Sequence, residues 1–396
     1  MWNKVPFDEL TNRLKHFRSI MDAQNPNWEL AVFFSKINQY YFTGTMQEGM
    51  LLIPRNDEAV LWVRRSFERA VDESLFPVIR YMNSFREAAS TYNTMPATVH
   101  VETEVIPVAL LARFRKYFPF REALPLDAQI AALRAVKSEY ETGIMKISGE
   151  KHRRVLEEFV PGMLREGMSE TDLAGALYEK MLKEGHHGIA RCGMFDTELS
   201  IGIVTFGESS LYPTNFNGPG GNFGMSPAVP FIGNRDRKLK RGDLVFLDIA
   251  FGYEGYHTDK TLTYLFGRKP DAEMLREHQA CLDIQYRLAE QLKPDAIPAL
   301  LYENMMNSLP PAFLKNFMGF GSRQVKFLGH GIGLVVDETP VIAKGFDNPL
   351  EENMVIALEP KKGVENVGMV GIENTFLVTP NGGESITGKG EGLLPV

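Results

Sequence analysis

The sequence predicts an α+β protein of two domains, a small α/β unit over residues 1–132 and a larger one over 133–396. Three observations carry this. The chain has 396 residues, enough for two domains and for a large core in at least one of them. Helical and strand periodicities are interleaved along the chain. After residue 186 the composition shifts: glycine and proline crowd residues 202–233, notably in FNGPGGNFG, and strand-like runs dominate beyond them.

In the first unit, FDELTNRLKHFRSIMDAQ sets Leu10, Leu14, Phe17, Ile20 and Met21 at helical spacing. ELAVFF (29–34) is a short apolar strand, and MLLIPRNDEAVLWV (50–63) reads as two strands joined by a polar turn at Arg55–Glu58. FPVIRY and TVHVET supply further strands, SFREAAS a short helix between them, and VIPVALLARFRKYF an amphipathic helix. No metal-type cluster occurs in this region, which points to a structural or subunit-interface role. Residues 128–160 are helical by composition, with no proline or glycine before Gly143, and the domain boundary falls near Leu133. MSETDLAGALYEKMLKEG (168–185) is a further helix, capped by Ser169 and stopped at Gly185. The glycine-rich residues 202–233 read as long loops beside a functional site, the usual use of loops of that length in a compact domain. GDLVFLDIAF (242–251), KTLTYLF (260–266), MVIALEP (354–360) and GMVGIENTFLVTP (368–380) are the strongest strands, interrupted by two helices at 271–293 and 297–308.

Composition narrows the function. Hydrophobic residues at 44% and charged residues at 23% are those of an ordinary soluble chain. A net charge of −7 argues against a nucleic-acid partner, because no basic excess exists to neutralise phosphates. The densest basic run, NRDRKLKRGD (234–243), reads as a solvated turn. The two cysteines, Cys192 and Cys281, make a disulfide framework improbable, and MWNKVPFDEL lacks the apolar core of a signal peptide; a cytoplasmic location is expected. No apolar run approaches the roughly 20 residues that span a bilayer, so no membrane partner is expected.

Five residues carry the chemistry. Asp248 ends the apolar run LVFLD, Asp259 follows in GYHTDKT, His330 lies between glycines in GHGIGL, Glu359 ends VIALE, and Glu373 sits inside VGIENTF. A carboxylate among Val, Ile and Leu is costly to bury unless its charge is offset. Four of them sharing a site would raise one another's pKa. Divalent cations resolve this, and oxygen-rich ligands with one imidazole suit Mn, Co, Fe or Zn. Singly, each residue has an ordinary reading as a turn, cap or hydrogen-bonded loop residue.

Taken together, Asp248, Asp259, His330, Glu359 and Glu373 resemble, in order and spacing, the five ligands of the methionine aminopeptidase, prolidase and creatinase superfamily (metallopeptidase family M24), nearest the Xaa-Pro aminopeptidase type. GDLVFLD, GYHTDKTLT, GHGIGL, LEP and GIENT match its motifs, INQYYFTGT (37–45) its N-terminal domain, and LRAVKSEYE (133–141) its linker. The resemblance implies a creatinase-type N-terminal domain and a pita-bread catalytic domain, two divalent ions held by those five residues, and a homodimer. It implies hydrolysis of a short peptide or peptide-like amide by a metal-bridging hydroxide, with Glu359 taking and passing on the proton.

The chain also departs from the family. Two histidines that usually contact the substrate carbonyl are missing, with Phe231 and Asp337 at their places. Gly371 stands where an arginine is common, and Lys361 and Lys362 stand where a glycine and apolar residues are usual. Phenylalanine cannot donate to an oxyanion, and an ionised Asp337 only accepts. The expectation is therefore a working metal centre with an altered pocket. Asp337 either binds a cationic group on the substrate or forms a turn with Thr339 before Pro340. The lysines read as a solvent-facing turn, with carboxylate binding as the alternative. Arg191, in GHHGIARCGMF, is a candidate clamp for a substrate carboxylate, against a helix end with His186 and His187 solvated. His257, two residues before Asp259, is a candidate substrate-side partner or proton carrier. Cys192 has no base partner, so a thiol nucleophile is improbable. A same-fold enzyme acting on a small non-peptide substrate, by C–N hydrolysis or lyase chemistry, and a catalytically silent metal-binding homologue are the alternatives to the peptidase.

Overall fold

The computed structural model describes residues 3–396; Met1 and Trp2, the first two residues of the MWNKVPFDEL stretch, lie outside the described residues. The chain divides into two compact units, Met1–Arg134 and Ala135–Val396.

In the first unit the helix Phe7–Gln24 buries Leu10, Phe17 and Met21 of the five residues that its periodicity selects, and leaves Leu14 and Ile20 half-buried. A six-stranded sheet runs Ile79–Tyr81, Val60–Val63, Gly49–Pro54, Leu30–Phe33, Thr98–Val101, Glu122–Pro125. Gly49–Pro54 and Val60–Val63 pair antiparallel across the polar turn read from the sequence. Val32, Leu52, Trp62 and Val99 pack against Phe114 and Phe118, whose rings stack at 4.6 Å.

Residues 128–160, uniform in composition, fold as separate helices, Asp127–Ala135 and Glu139–Arg154. Between them the Ser138 hydroxyl accepts from the Glu141 N–H while the Glu141 carboxylate accepts from the Ser138 N–H. This reciprocal cap starts a new helix with no glycine or proline to mark it. Ser169 caps Glu170–Lys183 in the same way, with Asp172 as its partner.

The strands that matter for the site follow. Leu244–Tyr253 and Tyr256–Leu265 form an antiparallel hairpin paired over its full length, from Leu244↔Leu265 to Tyr253↔Tyr256. Its two turn residues, Glu254 and Gly255, have φ of 48° and 94°. Two left-handed residues give the turn a twist that matches that of the strands. Val245, Leu247, Ile249 and Phe251 alternate into a core with Leu173 and Leu177 of the Glu170–Lys183 helix. The period of two then puts Phe246, Asp248 and Ala250 on the opposite face. Asp248 is thus mid-strand and not at a strand end, and the second strand begins at Tyr256, so His257 and Asp259 belong to it.

Gly202–Phe206 and Leu394–Pro395 complete this hairpin as a four-stranded sheet. A five-stranded antiparallel sheet runs Glu338–Ala343, Phe327–Gly331, Val355–Leu358, Asn374–Thr379, Gly382–Ser385. Ile284 and Leu288 of the helix Ala272–Ala289, with Leu301 and Met305 of Pro298–Ser308, share a core with Leu328, Ile356 and Leu358 of that sheet. Lys361–Val364 and Gly368–Gly371 form a separate antiparallel ribbon. GMVGIENTFLVTP is therefore two strands, with Glu373 in the link between them and bridged to Thr261. The stretch 202–233 holds one strand and one short 3₁₀ turn, Gly207–Leu211, and is otherwise irregular. The basic run exposes Arg235, Lys238, Lys240 and Arg241, as a solvated turn does. Among the described residues, no helix is long and apolar enough to cross a membrane.

Candidate metal centre

The carboxylates of Asp248, Asp259, Glu359 and Glu373 are all buried, at 7%, 7%, 4% and 1% exposure, with His330 at 4%. The structure brings the five together, but around a residue that the sequence reading placed in solvent. Lys361 is completely buried, and its Nζ donates to Asp248 Oδ2 at 3.0 Å, Glu359 Oε2 at 2.9 Å and Glu373 Oε2 at 2.7 Å. It lies in a strand, with the period of two putting it on the face of Glu359. The solvent-facing turn is corrected accordingly. Lys362 points away and donates to the carbonyls of Phe313 and Lys315, so it fastens backbone and binds no ligand.

The remaining acceptors divide into two groups. The Thr261 hydroxyl lies 2.8 Å from Asp248 Oδ1 and 3.0 Å from Glu373 Oε2. Both oxygens of Asp248 are therefore engaged, one by Thr261 and one by Lys361. By contrast, Asp259, His330 and Glu373 each offer one ligand atom, all within 4.8 Å of one another. Glu373 Oε1 is buried with no hydrogen-bond partner and sits 3.7 Å from His330 Nε2. His330 Nδ1 is 3.0 Å from the Gly331 carbonyl, and a proton on Nδ1 leaves the Nε2 lone pair facing the carboxylates. Glu359 Oε1, also 3.7 Å from that Nε2, is the oxygen that Lys361 leaves unused.

Charge explains the protonation. Burial, reinforced by Glu373 and Asp248, lifts Asp259 well above the ordinary carboxylate range. Burial also lifts Glu373, to about 8, with Lys361 opposing and Glu359 and Asp248 reinforcing. Glu359 is raised chiefly by burial, against the pull of Lys361. Burial alone would neutralise Lys361; Asp248, Glu359 and Glu373 outweigh it and hold the ammonium charged. Burial opposes protonation of His330, but Asp337, Glu359 and Glu373 outweigh it and raise its pKa. Carboxylates this disfavoured as anions are a donor set in want of a cation. The set at Asp259, His330 and Glu373 fits one divalent ion. The second ion implied by the resemblance does not fit, because the Lys361 ammonium takes the space among Asp248, Glu359 and Glu373.

The other sequence candidates are placed as follows. Asp337 has φ of 65° and meets Cys192 Sγ at 3.6 Å and His330 Nδ1 at 3.7 Å, in place of the expected turn with Thr339. Phe231 is half-buried beside Ile232, whose bridge to Ile203 reaches the cross-strand partner of Asp248. Arg191 contributes backbone: its N–H donates to His257 Nε2 and its carbonyl accepts from Val336, which pins the loop leading to Asp337. With its other nitrogen 3.1 Å from the Gly333 carbonyl, His257 has both ring nitrogens in contact with backbone groups. His186 and His187 are not solvated. Their Nδ1 atoms accept from the N–H groups of Gly252 and Gly255, and burial lowers their pKa values to about 4 and about 3. Burial raises the Cys192 thiol to about 11, which agrees with the reading that it is no nucleophile.

Gly371 is the cross-strand partner of Lys361. Its φ is 123°, and a Cβ there would lie 2.4 Å from the Pro360 carbonyl oxygen and 2.6 Å from Lys361 Cα. The two departures at 361 and 371 are thus one local change of backbone and charge.

This constellation, in two sheets bridged at Thr261 and Glu373, is a candidate metal centre in a mixed helix-and-sheet unit. The family models make the assignment specific. Residues 143–380 match metallopeptidase family M24, and residues 13–136 match the creatinase/prolidase N-terminal domain. The chain belongs to metallopeptidase family M24. It is 28% identical over 392 residues to a Xaa-Pro dipeptidase of Pyrococcus furiosus, covering 97% of this chain and 100% of that one. Among solved structures it is similar to an X-Pro aminopeptidase from Thermotoga maritima, at 25% identity and a TM-score of 0.75 over 96% of this chain and 99% of that one. It also shares the fold of a dipeptidase from Mycobacterium ulcerans, at 23% identity and a TM-score of 0.79 over 100% of both chains.

Two predictions follow from the packing. Gly371→Arg, which restores the residue common in the family, forces an L side chain into the left-handed region against the Pro360 carbonyl. It should destabilise the protein by about 1–3 kcal/mol from strain alone, read as a lower thermal midpoint; an unchanged midpoint contradicts the assigned backbone. The second concerns His186 and His187. Their folded pKa values lie below the unfolded value near 6.5, so the unfolded chain takes up protons first as pH falls. Their stabilising contribution is complete above about pH 6.5 and is lost from there down towards pH 4 and 3. In chelated protein the double variant His186→Asn, His187→Asn should lose stability less steeply than wild type between pH 7 and 5. Each histidine accounts for at most about 1.4 kcal/mol per pH unit; parallel slopes contradict the assignment.

Proposed function

We propose that this protein is a metal-dependent amide hydrolase acting on a short peptide or peptide-like amide, with Xaa-Pro peptides the first substrates to try. The observation that carries the reading is Glu373 Oε1, a buried and unpartnered carboxylate oxygen converging with Asp259 and His330. The names of the Pyrococcus and Thermotoga relatives point to the same bond.

Asp259, His330 and Glu373 would hold a divalent ion, which when bound supplies Lewis acidity towards a carbonyl and lowers the pKa of water. Glu359 is the proton carrier. Its Oε2 is fixed by Lys361, which aims the free Oε1 at the site, and burial raises its affinity for a proton. It can accept a proton there and return it to the leaving amine. Thr261 and Lys361 orient the carboxylates and keep their charges in place.

Substrate preference lies at Phe231 and Asp337. Loss of one oxyanion donor typically costs about 10²–10³ in rate, so a proline peptide handled by the family's usual route should turn over slowly. Asp337, partly exposed beside His330, favours a substrate with a cationic group, such as a free amino terminus. The same observation supports the second reading, a small cationic non-peptide amide.

The test is hydrolysis of Xaa-Pro dipeptides, tripeptides and small cationic amides by chelated protein with and without added Mn or Co. Turnover should require the ion, and Glu359→Gln should lower kcat by about 10²–10⁴ with little change in KM. Turnover that survives chelation, or is indifferent to Glu359→Gln, contradicts the proposal.

A further inference from the structure

We propose that the Lys361 ammonium is a built-in second cation of the centre, so that the chain binds one divalent ion, at Asp259, His330 and Glu373, with Asp248 serving as the lysine's anchor and not as an ion ligand. The inference rests on the metal centre proposed above and adds its composition.

Four features support it. Nζ has three N–H groups and makes three hydrogen bonds, to Asp248, Glu359 and Glu373, at 2.7–3.0 Å. A transition-metal ion bound to the same oxygens would sit about 2.0–2.2 Å from them, inside the volume that the ammonium fills. The lysine has no route out: it is 0% exposed, and its strand is held by pairing to Gly368–Gly371 and by the Met318 N–H on the Lys361 carbonyl. At Gly371 its partner strand approaches so closely that no Cβ fits, which leaves the ribbon no room to shift. Finally, the acceptors are partitioned. Both oxygens of Asp248 are taken, whereas Glu373 gives Oε2 to Lys361 and keeps Oε1 unpartnered towards Asp259 and His330. One carboxylate thus serves an ammonium on one side and presents a vacant ligand atom on the other.

Replacing Lys361 by alanine removes a charge and opens a space lined by three carboxylates. That space should then accept a second ion. Methionine fills the space without the charge and should not. The experiment takes the full chain, strips it with chelator, reloads it with Mn²⁺, removes free ion by gel filtration, and counts bound manganese per chain by elemental analysis and native mass spectrometry. The expected counts are one for wild type, two for Lys361→Ala and no more than one for Lys361→Met. Two ions in wild type, or one in Lys361→Ala, overturn the role given to Lys361 while leaving the hydrolase reading intact. No ion in wild type sinks that reading and this inference with it. Should the Lys361 variants fail to fold, Asp248→Asn decides. If Asp248 only anchors the lysine, the variant keeps one Mn²⁺ with a Kd within about tenfold of wild type by calorimetry. Loss of the ion overturns the proposal.

Discussion

The Lys361 ammonium binds carboxylates that reach it from three separate parts of the fold. Asp248 comes from the long hairpin, Glu359 from the end of Val355–Leu358 in the five-stranded sheet, and Glu373 from the link between ribbon and sheet. Each of these charges would be costly to bury alone, and removing one partner of a buried ion pair leaves the others uncompensated. The ammonium therefore fixes where the sheets meet as well as how the site is charged. It has three donors for three acceptors, so its capacity is spent within the protein. None is left over for a substrate oxyanion, so the charge of Lys361 is used within the protein.

The departures from the family form two clusters. At the ribbon, Lys361 and Gly371 are cross-strand partners: a cation appears on one strand where glycine is usual, and glycine appears opposite where arginine is common. The positive φ of Gly371 and its contact with Pro360 show that the exchange involves backbone and not charge alone. Away from the ribbon, Asp337 lies against His330 and Cys192, on a loop pinned through Arg191 and His257. The first cluster lies among the buried carboxylates. The second lies beside His330.

Much of this was legible in the sequence. The apolar run in LVFLDIAF located the strand carrying Asp248, and motif order brought together five polar residues distant along the chain. What escaped had physical causes. The break at Ser138 is made by a capping box, with none of the usual breaker residues. Glu373 was read as a strand interior because apolar runs, GMVGI and FLV, lie on both sides of it, although the chain changes sheets there. Lys361 was read as solvated because lysine in a short polar run usually is. The overlooked signal was its place two residues after Glu359, on the same face of an extended, apolar segment. His186 and His187 were misread for a related reason: their partners are backbone N–H groups, which no side-chain pattern announces.

The most direct measurement is anomalous diffraction from crystals of the wild-type protein soaked in Mn²⁺. The account predicts a single anomalous peak between Asp259, His330 and Glu373, with Lys361 Nζ still in contact with Asp248. Two peaks a few ångströms apart, with the Lys361 side chain displaced from the carboxylates, would contradict it.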